Sequence, residues 1–198
     1  MMIEVDDMNN KGFTLVEILA MLVVLGILMV ITIPNVTGIL ANNKFKVMKA
    51  DADKTVDTAK IRFSQLKPVN KPKVNECVVY SLNALNNTGD ITKGPNGGKY
   101  LQYESFVAVT RKANRYEYYI RLVELYDDTK KIGIELKESS GLSEGKIDYI
   151  KEITSEVMDE ESTGKAEEGK AKLTEYLSGA GVCTSVISYD VGKAYAEE

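Results

Sequence analysis

The spacing of apolar positions changes along the chain, and each change predicts a different element. Residues 13–33 read FTLVEILAMLVVLGILMVITI, an apolar run interrupted by one charge. As a helix that run measures roughly 31 Å, the thickness of a bilayer's hydrocarbon core, which makes it a candidate membrane span. Past Pro34 the pattern turns amphipathic. Ala41, Phe45, Met48, Ala52, Val56, Ala59, Phe63 and Leu66 recur at steps of three and four, with lysines and aspartates filling the other faces. One helix over 13–66, about 81 Å long, is expected, apolar all round in its first half and laying one stripe on a head domain in its second. Pro34 would kink that helix or loosen the preceding turn, and Gly26 adds local weakness.

Residues 67–100 carry Pro68, Pro72, Pro95 and the clusters Asn86-Asn87-Thr88-Gly89 and Gly94-Pro95-Asn96-Gly97-Gly98, an irregular connection with a short helix or strand at 77–85. The glycines lack the lysine and the strand-to-helix setting of a phosphate loop. Period-two alternation then predicts strands at 105–110, 115–125 and 131–137, joined by turns at Lys112-Ala113-Asn114 and Asp127-Asp128-Thr129-Lys130. Tyr116, Tyr118 and Tyr119 place aromatics on both faces of the middle strand, a pattern of core and cross-strand packing rather than ligand stacking. Further on, Ile147, Ile150, Ile153 or Thr154, and Val157 repeat at helical spacing. A charged helix at 165–177 follows Ser162-Thr163-Gly164, and a last strand at 182–189 carries Cys183. The predicted fold class is α+β: a long N-terminal α-helical spine, its first half transmembrane, packed on an antiparallel β-sheet head with additional C-terminal helices.

Composition narrows the chemistry. Histidine and tryptophan are absent. Without imidazole there is no His general base, no His metal ligand, and no Ser-His or Cys-His nucleophile pair. The net charge of −4 supplies no global field toward nucleic acid or anionic lipid, so such binding must be local. Lys67, Lys71 and Lys73 with Arg111, Lys112 and Arg115 are the candidate basic edge for DNA, although loop lysines are commonly just solvated. Asp127-Asp128 and Asp159-Glu160-Glu161 have oxygen ligands for calcium but not the spacing of a calcium loop. Cys77 and Cys183 are too few and too far apart for a zinc or CxxC pattern. They form either one disulfide, worth up to roughly 4–5 kcal/mol in the chain-entropy model, or two buried thiols. No catalytic residue, metal or cofactor is singled out, and no enzyme is expected.

The N-terminus is unlike a secretory signal peptide. Its leader MMIEVDDMNNKG is acidic, its apolar run is too long, and Pro34-Asn35-Val36 follows where a small-residue cleavage site would stand. Glu17 is the odd residue, because a carboxylate in a membrane span costs roughly 2.5–3.5 kcal/mol near the helix centre and somewhat less near an end. No Lys or Arg lies between Phe13 and Asn43 to offset it.

Lys11-Gly12-Phe13-Thr14-Leu15-Val16-Glu17, followed by an apolar helix with Gly26 and Pro34, resembles the N-terminal signature of type IV pilins and related pseudopilins. The resemblance covers residues 11–36. It implies a leader over 1–12 removed by a prepilin peptidase between Gly12 and Phe13, and N-methylation of Phe13. A transmembrane and polymerisation helix over 13–34 follows, then an amphipathic half over 35–66 and an extracellular head over 67–198. It further implies assembly through Thr14, Glu17, Gly26 and Pro34, with Glu17 of one subunit receiving the new α-amino group of its neighbour. The partners implied are other pilin subunits, the peptidase and a membrane assembly platform. The expected function is structural subunit of a type IV pilus, with adhesion and motility as associated roles. A minor pilin or a competence or secretion pseudopilin is the alternative, and a signal-anchored surface enzyme or receptor stands behind both. The precursor is expected in the cytoplasmic membrane with its head outside.

Overall fold

The computed structural model describes residues 14–86, 89, 91–127, 129–142, 150–158 and 165–192; within its first helix the side chains of 30–39 and 41 are not described. The chain forms two compact units, Met1–Asn42 and Asn43–Glu198.

Helix α1, Leu15–Ser64, contributes to both units and continues through Pro34. The kink or loosened turn expected there does not interrupt it. Its amphipathic stripe is the reason the second unit has a core. Met48, Ala52, Val56, Ala59 and Phe63 are all at least 96% buried, with Phe45 and Leu66 packed at the margins. Opposite them lie the apolar side chains of a sheet built from β1 (Glu76–Ser81), β2 (Lys99–Tyr100), β3 (Phe106–Lys112), β4 (Arg115–Asp127), β5 (Lys130–Glu138), β6 (Ile150–Glu152) and β7 (Ser185–Asp190). The strand order is β6-β5-β4-β3-β1-β7, with β2 pairing onto β4.

The three central strands fall where the alternation places them. Two expectations are corrected. The sheet is mixed rather than antiparallel, because β7 runs parallel to β1, with Glu76 opposite Ser185 and Tyr80 opposite Asp190. Helical spacing at Ile150, Ile153 and Val157 does not produce a helix: Ile150–Glu152 is the edge strand β6, Ile150 pairs with Ile134, and the Ile153 N–H donates to the Lys131 carbonyl at 2.9 Å. Both geometries bury these residues, and the open hydrogen-bonding edge of β5 decides between them. Ile147 and Ser162-Thr163-Gly164 lie outside the described residues.

The expected charged helix is present as α3 (Ala166–Gly179), on the sheet face opposite α1. Leu173 and Leu177 pack with Cys77, Val79, Phe106 and Ala108. Gly169, one turn earlier on the same stripe, is required by space: a Cβ there would sit 2.6 Å from the Tyr189 ring. The helix ends in a Schellman motif. Gly181 takes φ 71°, its N–H meets the Ser178 carbonyl at 3.0 Å, and the Val182 N–H meets the Leu177 carbonyl at 2.9 Å. That turn delivers Cys183 beside β1. Helices on both faces also explain why β1 and β3 read as nearly unbroken apolar runs.

Candidate functional site

Helix α1 begins on a reciprocal cap. The Thr14 backbone N–H and hydroxyl both donate to Glu17 Oε2, each at 2.9 Å, and the Glu17 N–H donates back to Thr14 Oγ1 at 3.3 Å. With the Ile18 N–H on the Thr14 carbonyl, this is a capping box, in which a hydroxyl residue and an acid three positions later satisfy each other's free groups. Glu17 is therefore not bare. Its hydrogen bonds come from Thr14, and no cation pairs with it among the described residues. The Thr-x-x-Glu spacing of this cap is legible in the sequence.

Beyond the cap, Leu15 to Met29 present their apolar side chains to the surroundings, from 45% exposed at Ile18 to 82% at Leu15. Nothing in this unit's described part covers them. A Cβ on Gly26 would meet no atom within 4 Å, so packing inside the chain does not explain that glycine. Among the described residues no helix is long and apolar enough to cross a membrane. Gly12 and Phe13, the expected cleavage and methylation positions, lie outside the described residues, and the Pro34 side chain is not described.

In the second unit the structure joins Cys77 to Cys183, Cα to Cα 5.9 Å apart, tying β1 to the segment entering β7. Tyr116 and Tyr118 meet Phe63 edge-on with centroids 4.7 and 6.1 Å away, while Tyr119 packs toward the α3 side. No group of three or more His, Cys, Asp or Glu residues that could hold a metal occurs among the described residues. Asp128, Asp159, Glu160 and Glu161 lie outside them. The basic candidates do converge. An isolated bridge sets Val74 against Arg111, which brings the loop of Lys71 and Lys73 beside the β3–β4 hairpin of Arg111, Lys112 and Arg115.

Sequence reasoning missed the buried charges Glu104, Arg121 and Glu124. Arg121 is fully buried and donates to the Glu104 carbonyl and carboxylate, the Glu135 carbonyl, the Ser155 hydroxyl and carbonyl, and the Tyr176 hydroxyl. It fastens β4 to the segment after β6 and to α3. Glu124, also fully buried, accepts from the Asn96 and Gly98 backbone N–H groups and the Asn96 amide, and so cinches the glycine cluster 94–98. Both sit at inward-facing strand positions, where alternation predicts an apolar residue. Burial holds Asp51 above the usual carboxylate range although the Tyr100 hydroxyl donates to it at 2.8 Å. Burial likewise pushes the Tyr80 hydroxyl up to about 12. Lys151 beside Glu135 pulls that carboxyl down, with a smaller contribution from Ser155.

Known proteins match the chain where the capped helix begins. Residues 7–33 match the family described as "Prokaryotic N-terminal methylation motif". The chain carries a type IV pilin-like N-terminus. It is 63% identical over 30 residues to the ComG operon protein 3 homolog of Bacillus licheniformis, and 67% identical over 30 residues to the competence protein ComGC of Bacillus subtilis. Each match covers 15% of this chain, and the chain spans only 31% of the length of either relative. Neither relative's name refers to adhesion or motility. No solved structure matches the chain.

Proposed function

We propose that this chain is a non-catalytic filament subunit of the pseudopilin type, made as a membrane-held precursor. A prepilin peptidase cuts it between Gly12 and Phe13, Phe13 is N-methylated, and the apolar half of α1 then polymerises with other pilin-like subunits on a membrane assembly platform. The head stays outside the membrane. The observation that carries the reading is the methylation motif running into an exposed apolar helix whose first turn holds Glu17 on Thr14. An uncovered apolar helix needs lipid or neighbouring helices around it. The names of the two relatives favour a competence-type pseudopilus over a pilus of adhesion or motility. An anchored enzyme is less well supported. The cleft of about 720 Å³ between β5 and α3 carries Glu135 and Lys151 as an ion pair with each other, and no nucleophile with a base lines it.

Glu17 sets the register in this reading. After cleavage the chain acquires an α-amino group at Phe13, and the Glu17 carboxylate of an adjacent subunit is the anion placed to receive it. In a low dielectric such a pair fixes alignment more than it adds net stability, because desolvation offsets much of the attraction. Glu17→Ala is therefore expected to insert and to be processed normally while filaments fall at least about tenfold, a loss of roughly 1.4 kcal/mol or more per contact. Counting sheared filaments against membrane-bound mature subunit checks this. Wild-type filament numbers at wild-type expression would remove the registry role.

A further inference from the structure

The pilin-like reading leaves the glycine-rich connection before β2 unused. We propose that Asn96 is a deamidation site held closed by Glu124, and that its conversion to aspartate or isoaspartate releases the 94–98 loop from the sheet. The inference concerns the head alone and does not rest on processing at Gly12, so the two can fail separately.

Asn96-Gly97 is the one Asn-Gly pair in the chain. Its loop closes on itself: the Gly94 N–H donates to the Gly98 carbonyl at 3.1 Å, and the Gly97 N–H to the Gly94 carbonyl at 3.2 Å. Gly97 takes φ 90°, with no atom within 4 Å of where a Cβ would stand. The loop wraps around Glu124. Oε1 of that carboxylate accepts the backbone N–H groups of Asn96 and Gly98 at 2.9 and 3.0 Å, and Oε2 accepts the Asn96 side-chain amide at 2.8 Å. The fit leaves no slack. A Cβ on Gly94 would lie 2.1 Å from Glu124 Cδ, and one on Gly98 would lie 2.1 Å from the Leu125 carbonyl oxygen.

An asparagine followed by glycine deamidates most readily, because no side chain hinders attack by the next backbone nitrogen. The Gly97 nitrogen adds to the Asn96 side-chain carbonyl carbon and a C–N bond forms. The amide C–N bond then breaks, and ammonia leaves with the proton that the Gly97 nitrogen gives up. Water opens the resulting five-membered imide to aspartate or isoaspartate. In the closed loop both reacting groups are held: the departing amide nitrogen donates to Glu124, and the attacking nitrogen keeps its proton on Gly94. Reaction therefore passes through the fraction of molecules in which this loop has opened.

The product cannot close again. A carboxylate at 96 would meet Glu124 Oε2 where an N–H donor stood, and two carboxylates sharing one site cannot both stay ionised without a large cost. A third acid faces the same space. Asp51 on α1 is held above the usual carboxylate range by burial, with a smaller contribution from the Glu124 charge, while Lys54 acts on it in the opposite sense. Isoaspartate also lengthens the main chain by one carbon, which the close approaches at Gly94 and Gly98 do not admit. What the loop holds is β2. Tyr100 pairs with Glu124 and its hydroxyl donates to Asp51 at 2.8 Å, so release loosens a tie between the sheet and α1.

The test holds the full chain in mild detergent and mildly alkaline buffer, beside a sample unfolded in guanidinium chloride, and follows each asparagine by peptide mapping. Folded wild type is expected to convert at Asn96, at least about tenfold more slowly than the unfolded sample, because only the opened fraction reacts. Glu124→Gln puts an N–H donor where a carboxylate oxygen accepts, and should raise the folded rate at least about tenfold. Asn96→Asp, the product made directly, should lower Tm by at least about 4 °C and speed amide exchange at Gly98 and Tyr100. Asn96→Ala, which drops the donor without adding a charge, should lower Tm clearly less. Folded wild type that does not convert at Asn96, or converts as fast as the unfolded sample, would overturn the proposal. So would an unchanged rate in Glu124→Gln, or equal melting temperatures for Asn96→Asp and Asn96→Ala.

Discussion

A carboxylate's behaviour in this protein follows from what stands beside it. Glu17 has a hydroxyl and an N–H, Glu124 has a loop's N–H groups, and Glu135 has Lys151. Glu135 makes a clean pH test because its folded pKa lies below its ordinary value, chiefly through Lys151. Its contribution is present above the unfolded value and is lost as pH falls through the folded one. The pair is partly exposed, so it is worth under about 1 kcal/mol. Glu135→Gln should therefore lower Tm by about 1–3 °C at neutral pH, with the difference closing toward pH 3. Thermal melts between neutral and acid pH check this, and two curves that stay parallel throughout would contradict it. Arg121 shows the limit of reading residues singly. Nothing in Tyr-Tyr-Ile-Arg-Leu-Val announces that its arginine faces inward, because the partners at Glu104, Ser155 and Tyr176 are distant in sequence.

At the scale of elements, legibility tracked how local the determining forces are. The α1 stripe from Phe45 to Leu66 and the β3–β4–β5 meander were readable, because each element's period and turn residues lie within its own segment. The β6 strand was not, since Ile150 and Ile153 suit either geometry until β5 offers an edge. The parallel β1–β7 pairing was hidden for the same reason: its partners lie more than 100 residues apart, and the crossover through α3 sets the direction. Gly133 marks another non-local demand. It sits in β5 facing Val123, and a Cβ there would lie 1.9 Å from the Leu122 carbonyl oxygen, a backbone atom with no freedom to withdraw. Gly133→Ala should cost about 2–3 kcal/mol, read as a lower denaturation midpoint with an unchanged slope. Wild-type stability in that variant would contradict so close an approach of Gly133 to the Leu122 carbonyl.

For the molecule as a whole, the head is closed by a cross-link and the N-terminal unit is left open. Cys77–Cys183 closes most of the head into one covalent loop, with 106 residues separating its ends. Replacing both cysteines by serine should cost up to roughly 4–5 kcal/mol and lower Tm by about 8–15 °C in the chain-entropy picture. Calorimetry of the two proteins under non-reducing conditions checks it, and equal melting temperatures would show that the cross-link does not constrain the unfolded chain. The N-terminal unit has no comparable closure. Its apolar helix was legible from the apolar run over 13–33, whereas its cap was visible only as a short spacing. The central claim is that the leader is removed and the helix kept. Intact-mass and N-terminal peptide analysis of sheared surface filaments tests this most directly. A mature chain beginning at methylated Phe13 is expected, with residues 1–12 absent from every assembled subunit; filaments built from chains that still carry Met1 to Gly12 would contradict removal of the leader.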